Sequence, residues 1–172
     1  MEERKRKLLK RLEKELAKDE EFEETSLFTA EELNAPMDVL RALVTEYGMG
    51  LMDVLAECSF LPIKEAEEVW YFSVVLTLSM NVPASGMTPL AKAISRLNFY
   101  LPCGAFCLSK DGKMLIYKLV LPCRTDAEED TLFNQMKLGL ETALLVPESY
   151  TDLLMRVLDG RLALADFMEA LP

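Results

Sequence analysis

"LPCGAFCLSKDGKMLIYKLVLPCR", residues 101–124, is the stretch on which the fold turns. Asp111-Gly112 between two apolar runs is a strong short-range signal of a β-hairpin, and a two-residue loop there sets the register. Lys110 then opposes Lys113, Leu108 opposes Leu115, Phe106 opposes Tyr117 and Gly104 opposes Leu119. Because successive side chains point to opposite faces of a strand, Phe106, Leu108, Leu115, Tyr117, Leu119 and Leu121 share a core face. Cys103, Ala105, Cys107, Ser109, Met114, Ile116, Lys118 and Val120 take the other.

Upstream, Val69 to Met80 reads as a strand with Trp70, Phe72, Val74, Leu76, Leu78 and Met80 on one face. Tyr71, Ser73, Val75, Thr77 and Ser79 line the opposite face, which is only partly apolar, as in an antiparallel sheet covered on one side. The run exceeds the usual strand length, so a bend is expected. Between this strand and the hairpin, Thr88 as cap and Pro89 at the first helical position predict a helix that buries Leu90, Ile94 and Leu97. After the hairpin, Asp126 with Glu129, or Thr125 with Glu128, would cap a long helix that buries Leu132, Phe133, Met136, Leu140 and Leu144. Pro147 is expected to interrupt it, Tyr150 to Leu158 to form a second helix ended by Asp159-Gly160, and the tail after Gly160 a short amphipathic helix.

On the N-terminal side, Leu51 to Pro62 reads as a strand, and Lys64 to Glu68 as a charged turn. Pro36 to Tyr47 has Leu40, Leu43, Val44 and Tyr47 at helical spacing, and Thr29 with Glu32 offers a capping box ahead of it. Residues 1–24 hold 8 Lys/Arg and 9 Asp/Glu with a narrow stripe of Leu8, Leu9, Leu12 and Leu16. Basic residues come first and acidic ones later, which opposes the helix dipole, so this helix is expected as a solvated lead-in rather than a membrane-surface or partner-binding element. The class is therefore α+β, an antiparallel sheet with helices on one face in the order α-β-β-α-β-β-α, plus a charged N-terminal helix and a short C-terminal one. The expected organisation is an extension at 1–28, one domain at 29–160 and a tail at 161–172.

A chain of 172 residues, 51% hydrophobic and 28% charged, is long enough for one well-buried core. Its net charge of −10 repels phosphate, which argues against nucleic-acid partners. The most apolar run, Val69 to Val82, is too short to span a bilayer and is punctuated by Ser73, Thr77, Ser79 and Asn81, and a charged N-terminus with four sparse cysteines suggests a cytoplasmic protein with free thiols. The absence of histidine removes Ser-His and Cys-His pairs and His-ligated zinc.

Cys103 and Cys107 share a face four residues apart, about 13 Å at strand rise, too far for one metal ion or a disulfide. Cys123 has the opposite parity, and Cys58 would have to arrive from a distant segment. These thiols read as small hydrophobes, with Cys123, just before a helix start, the best candidate for reactivity. Lys118 reads as a snorkelling edge or dimer-facing lysine rather than a nucleophile. Glu65, Glu67 and Glu68, and the acids from Asp126 to Asp130, read as a solvated turn and a helix start rather than as catalytic or cation-binding pairs. "YGMGLM" at 47–52 lacks phosphate-loop spacing.

Leu97-Asn98, Gly104, Phe106 and the Asp111-Gly112 turn, set in this order of elements, resemble the YbjN-like proteins and, more broadly, the type III secretion chaperone-like superfamily. The likeness spans roughly Pro36 to Leu158. It implies a small acidic cytosolic protein, often dimeric, that binds another polypeptide or acts in regulation, and it carries over no catalytic residue. The expectation is a non-enzymatic chaperone-like or regulatory binder and homodimer with no cofactor, no metal and no stable membrane insertion. Ten methionines would supply adaptable apolar surface. Its expected partner or dimer surface is Tyr71, Val75, Cys107, Ile116 and Lys118. The alternative is a thiol-dependent redox or metal-binding protein that uses Cys58, Cys103, Cys107 or Cys123.

Overall fold

The computed structural model describes residues 2–63 and 68–171, and in it the hairpin pairs in the expected register. Leu108 faces Leu115 and Phe106 faces Tyr117, whose rings meet edge to face at 5.2 Å. The turn itself is wider than two residues. Ser109 N–H donates to the Met114 carbonyl, Gly112 N–H donates to the Ser109 carbonyl, and Gly112 takes φ +73°. Asp111 fixes this loop by accepting from the Ser109 hydroxyl at 2.6 Å and the Lys113 amide at 3.2 Å. The register survives because the extra residues are added in a cross-strand pair, which leaves the alternation of faces unchanged.

The described residues form α1 (Glu2–Leu16), β1 (Phe22–Phe28), β2 (Val39–Tyr47), β3 (Met52–Phe60), β4 (Val69–Ser79), α2 (Ala84–Leu97), β5 (Ala105–Leu108), β6 (Leu115–Arg124), α3 (Glu129–Leu158) and α4 (Leu164–Glu169). The strands make one antiparallel sheet in the order β1-β2-β3-β4-β6-β5. One face carries Leu40, Ala42 and Val44 of β2, Val54, Ala56, Cys58 and Phe60 of β3, and Trp70 to Leu78 at alternate positions of β4. Phe106, Leu115, Tyr117, Leu119 and Cys123 complete it, and the helices bury their leucines against it in a single core. The α+β class, the N-terminal helix and the short C-terminal helix are as the sequence implies.

Four local expectations are corrected. Residues 39–47 form strand β2, not a helix. Leu40 and Val44 fit either period, but Val39, Val44 and Thr45 are β-branched, and Ala42 turns into the core between them. The capping box upstream does form, with Thr29 and Glu32 bonded reciprocally at 2.8 and 3.3 Å, but it closes one turn, followed by the chain-stiffening Pro36. The first helix of the expected order is thus a strand, and β1 adds another before it.

The second correction concerns α3, which runs unbroken through Pro147. Its buried stripe of Ala143, Pro147, Thr151, Leu154 and Leu158 continues across the proline, so packing outweighs the lost amide. Thr151 donates its hydroxyl to the Pro147 carbonyl at 2.9 Å. No side-chain capping bond forms at its start, where Asp126 instead pairs with Arg124 at 2.7 Å. Third, α2 begins a turn earlier than Thr88, after Pro83, and holds Pro89 inside it.

Finally, α1 is not a solvated lead-in. Leu8, Leu9, Leu12 and Leu16 are all buried in the shared core, and residues 22–28 of the expected extension are a strand of the same sheet. Arg6, Lys7 and Arg11 pair with Asp38, Glu129 and Asp130 at 2.7, 3.0 and 2.6 Å, and because the helix ends at Leu16, with Glu2 and Glu3 in its first turn and Lys14 in its last, the expected conflict with the dipole does not arise. Met80, expected on the core face, lies past the end of β4 and is 72% exposed. A register shift between Thr77 and Ser79 supplies the expected bend. Of the Lys64–Glu68 turn, residues 64–67 lie outside the described residues, Glu65 and Glu67 among them.

Candidate functional site: the open face of the sheet

Opposite the helices, the sheet presents a second face built by the same alternation. Its middle row crosses Arg41, Glu57, Val75, Lys118 and Ala105 on successive strands, and the next crosses Leu43, Leu55, Thr77, Ile116 and Cys107. All ten are partly exposed. Tyr71, Val75, Cys107, Ile116 and Lys118, singled out from the sequence, do share this face. Arg41 and Leu43 were missed because β2 reads as a helix by spacing, and Leu55 and Glu57, on the strand expected at 51–62, because the strand they pair with was not recognised. The signal that would have found them is the strict in-out alternation of Leu40 to Val44 against Val54 to Cys58.

Electrostatically the face is sparse. Arg41 donates to Glu57 across the β2–β3 pair at 2.8 Å and stacks over Phe28 at 5.3 Å. Lys118 has no ion-pair partner among the described residues. One end of the face is covered by the loop at 29–38, whose Leu33, Ala35 and Met37 bound a cavity of about 380 Å³ with Ser59, Ser73 and Lys118. That cover leaves Ser59 and Ser73 buried on the open side. Asp38 anchors the loop by accepting from the Ala30 amide at 2.8 Å and from Arg6. The Arg6 guanidinium, and next the Ala30 amide, hold the Asp38 carboxyl below its ordinary range against the opposing effect of burial.

The thiols do not converge. Cys58 and Cys123 sit on the core face of β3 and β6, Cys107 on the open face, and Cys103 in the loop before β5. All four are free. Burial pushes the Cys58 thiol up to about 12 and raises Cys123 as well, so Cys123 is a core residue rather than the most reactive thiol. Among the described residues, no group of three or more Cys, Asp or Glu is arranged to hold a metal ion. The acids at 126–130 are engaged instead by Arg124, Lys7 and Arg11.

No family model and no curated protein matches this chain. The face presents half-exposed Leu, Val, Ile and Tyr side chains, one ion pair between Arg41 and Glu57, and a lysine, Lys118, with no ion-pair partner among the described residues. No described helix is long and apolar enough to cross a membrane.

Two motifs behind the resemblance have clear physical roles. Asn98, at the C-cap of α2, donates Nδ2–H to the Phe106 carbonyl and accepts the Phe106 N–H at Oδ1, both at 2.9 Å. It thereby plugs the backbone of β5 in the manner of another strand. Gly104 takes φ +65° where the Tyr117 hydroxyl reaches past it to donate to the Cys103 carbonyl at 2.8 Å.

Proposed function

We propose that this chain is a non-enzymatic, chaperone-like or regulatory protein that binds another polypeptide, and that it works as a homodimer built on the open face of its sheet. The observation that carries the reading is the charge pattern of that face within its apolar surround. A two-fold axis running along β4, between two facing sheets, brings β3 of one copy over β6 of the other. Glu57 then meets Lys118 of the second copy, and the reverse pair forms by symmetry. Val75 meets Val75, Leu55 meets Ile116, and Leu43 meets Cys107. The resemblance to YbjN-like and type III secretion chaperone-like proteins implies the same class of activity.

The test is the mass in solution, measured by light scattering across a dilution series, together with mass spectrometry of proteins retained on purification. Val75→Arg, which sets two like charges against each other on the axis, is expected to give monomer with the fold intact by circular dichroism. Lys118→Glu is expected to weaken the dimer, and Glu57→Lys/Lys118→Glu to recover part of it. A wild-type protein that is strictly monomeric and retains no partner would sink the proposal.

A further inference from the structure

A groove opens on the helical layer, where α1 ends against the start of β1, the end of β2 and the middle of α3. It consists of two adjoining depressions of about 820 and 600 Å³ that share Glu20, Glu21, Leu144 and Leu145. Leu12, Leu16, Phe22, Leu140 and Leu144 contribute its apolar lining. Leu145 stands at its edge, 68% exposed, and Leu138 lies two turns away on α3 with 63% of its surface exposed. Leu138 itself lines neither depression.

The rim is acidic. Asp19, Glu20, Glu21, Glu46, Glu141 and Glu148 line it, and none has an ion-pair partner among the described residues. Glu15, a seventh, is already engaged by the two lysines of the lining, Lys18 at 3.3 Å and Lys137 at 3.4 Å. These carboxylates are not gathered into a metal-binding group. An apolar floor between unpaired carboxylates repels nucleic acid and anionic lipid and complements a chain that is apolar on one face and cationic on the other.

The molecule already contains such a docking. Helix α1 is itself a basic amphipathic helix, with four leucines buried and Arg6, Lys7 and Arg11 paired to acids of the loop at 29–38 and of α3. The groove begins where α1 ends, since Leu12 and Leu16 form part of its lining. We propose that this groove is a docking site for a basic amphipathic helix of a partner polypeptide, laid against α3 beyond the end of α1. The proposal deepens the polypeptide-binding reading above but uses a different surface, so failure of the sheet-face dimer leaves it standing.

The experiment uses the full chain and a fluorescein-labelled helical peptide of Leu and Lys with leucines at i, i+3, i+4 and i+7. A scrambled peptide of the same composition and a Leu/Glu counterpart serve as controls, and binding is read by fluorescence anisotropy. The amphipathic basic peptide is expected to bind at least about ten-fold more tightly than either control. Glu20→Gln/Glu21→Gln/Glu141→Gln/Glu148→Gln is expected to weaken it about ten-fold and to flatten its salt dependence. Leu145→Ser, a single exposed position, tests the apolar floor independently and is expected to weaken binding about three-fold. Removing equal charge elsewhere, by Glu3→Gln/Asp53→Asn/Asp166→Asn/Glu169→Gln, is expected to leave affinity within about two-fold. No binding, equal binding of the scrambled peptide, or equal weakening by the distant variant would overturn the proposal. Binding that splits the dimer would assign the groove to a second copy and overturn it too.

Discussion

Replacing Gly104 by alanine tests the reasoning behind the hairpin most directly. The residue sits at φ +65°, where a side chain costs about 1 kcal/mol through the backbone alone. An added Cβ would lie 2.1 Å from the Tyr117 hydroxyl oxygen, 2.4 Å from the ring carbon that bears it, and 3.0 Å from the Lys118 carbonyl. Tyr117 cannot swing aside, because it is fully buried and held edge-to-face by Phe106. Overpacking of this kind costs about 1–3 kcal/mol, and displacing the hydroxyl from the Cys103 carbonyl about 1 more. Gly104→Ala should therefore destabilise by about 3–5 kcal/mol, a large part of what a domain this size has to lose. The assay is urea unfolding followed by the fluorescence of Trp70, the single tryptophan, which is buried against Phe60. Tyr117→Phe should cost only about 1 kcal/mol, since it removes the hydrogen bond and keeps the ring. The double variant should remain close to Gly104→Ala, because the ring carbon at 2.4 Å still collides and the hydrogen bond is lost only once. A Gly104→Ala protein within about 1 kcal/mol of wild type would refute the packing argument.

Three further outcomes follow from the same geometry. Cys103 and Cys107 should react with an aromatic disulfide reagent in the native state, whereas Cys58 and Cys123 should react only as the core opens; four equally fast thiols would contradict their burial. The Asp38 carboxyl is depressed in the folded state, so its contribution is present above its ordinary value of about 3.9 and is lost as pH falls through the folded one. Allowing for the exposure of Arg6, Asp38→Asn should cost about 1 kcal/mol at neutral pH, and its deficit should shrink in urea titrations as pH falls below the ordinary carboxylate range. Asp152 accepts from the amides of Met49 and Gly50 at 2.9 and 3.1 Å and so ties the β2–β3 turn to α3. Asp152→Ala should lower stability by about 1–2 kcal/mol and speed hydrogen exchange at those two amides; unchanged exchange would show that the turn holds itself.

What could be read in the sequence was what local chemistry decides. The hairpin register follows from alternation and survives an error in loop length, because only a change of one residue would reverse the faces. The same alternation set the two faces of β4 and so the shared face of Tyr71, Val75, Cys107, Ile116 and Lys118. Failure came where two periods coincide or where packing overrides a local signal. Leu40, Leu43, Val44 and Tyr47 fit a helix, and only pairing with β1 and β3 selects the strand. Pro147 is a sound stop signal in isolation and is overruled by a stripe buried on both sides of it. The basic residues of α1 look solvated in the sequence, yet Lys7 and Arg11 find partners about 120 residues away on α3, where no local pattern announces them. The acidic groove was invisible for the same reason, since it draws on α1, β1, β2 and α3 together.

The open sheet face and the acidic groove lie on opposite layers of the molecule, and this separation has a consequence for stoichiometry. A dimer formed across the sheets would turn both helical layers outward, so each copy would keep its groove free. Two partner helices would then bind per dimer, one to each chain, without competing for the interface. A partner that carries two basic amphipathic segments would engage both grooves at once, provided that its linker spans them, and would gain affinity from effective concentration rather than from any new contact. Val75→Arg distinguishes the two contributions: one-to-one binding of the single peptide should be unchanged in the monomer, whereas the advantage of a tandem peptide over a single one should disappear. A tandem advantage that persists in the monomer would place both segments on one chain and break the link between the two surfaces.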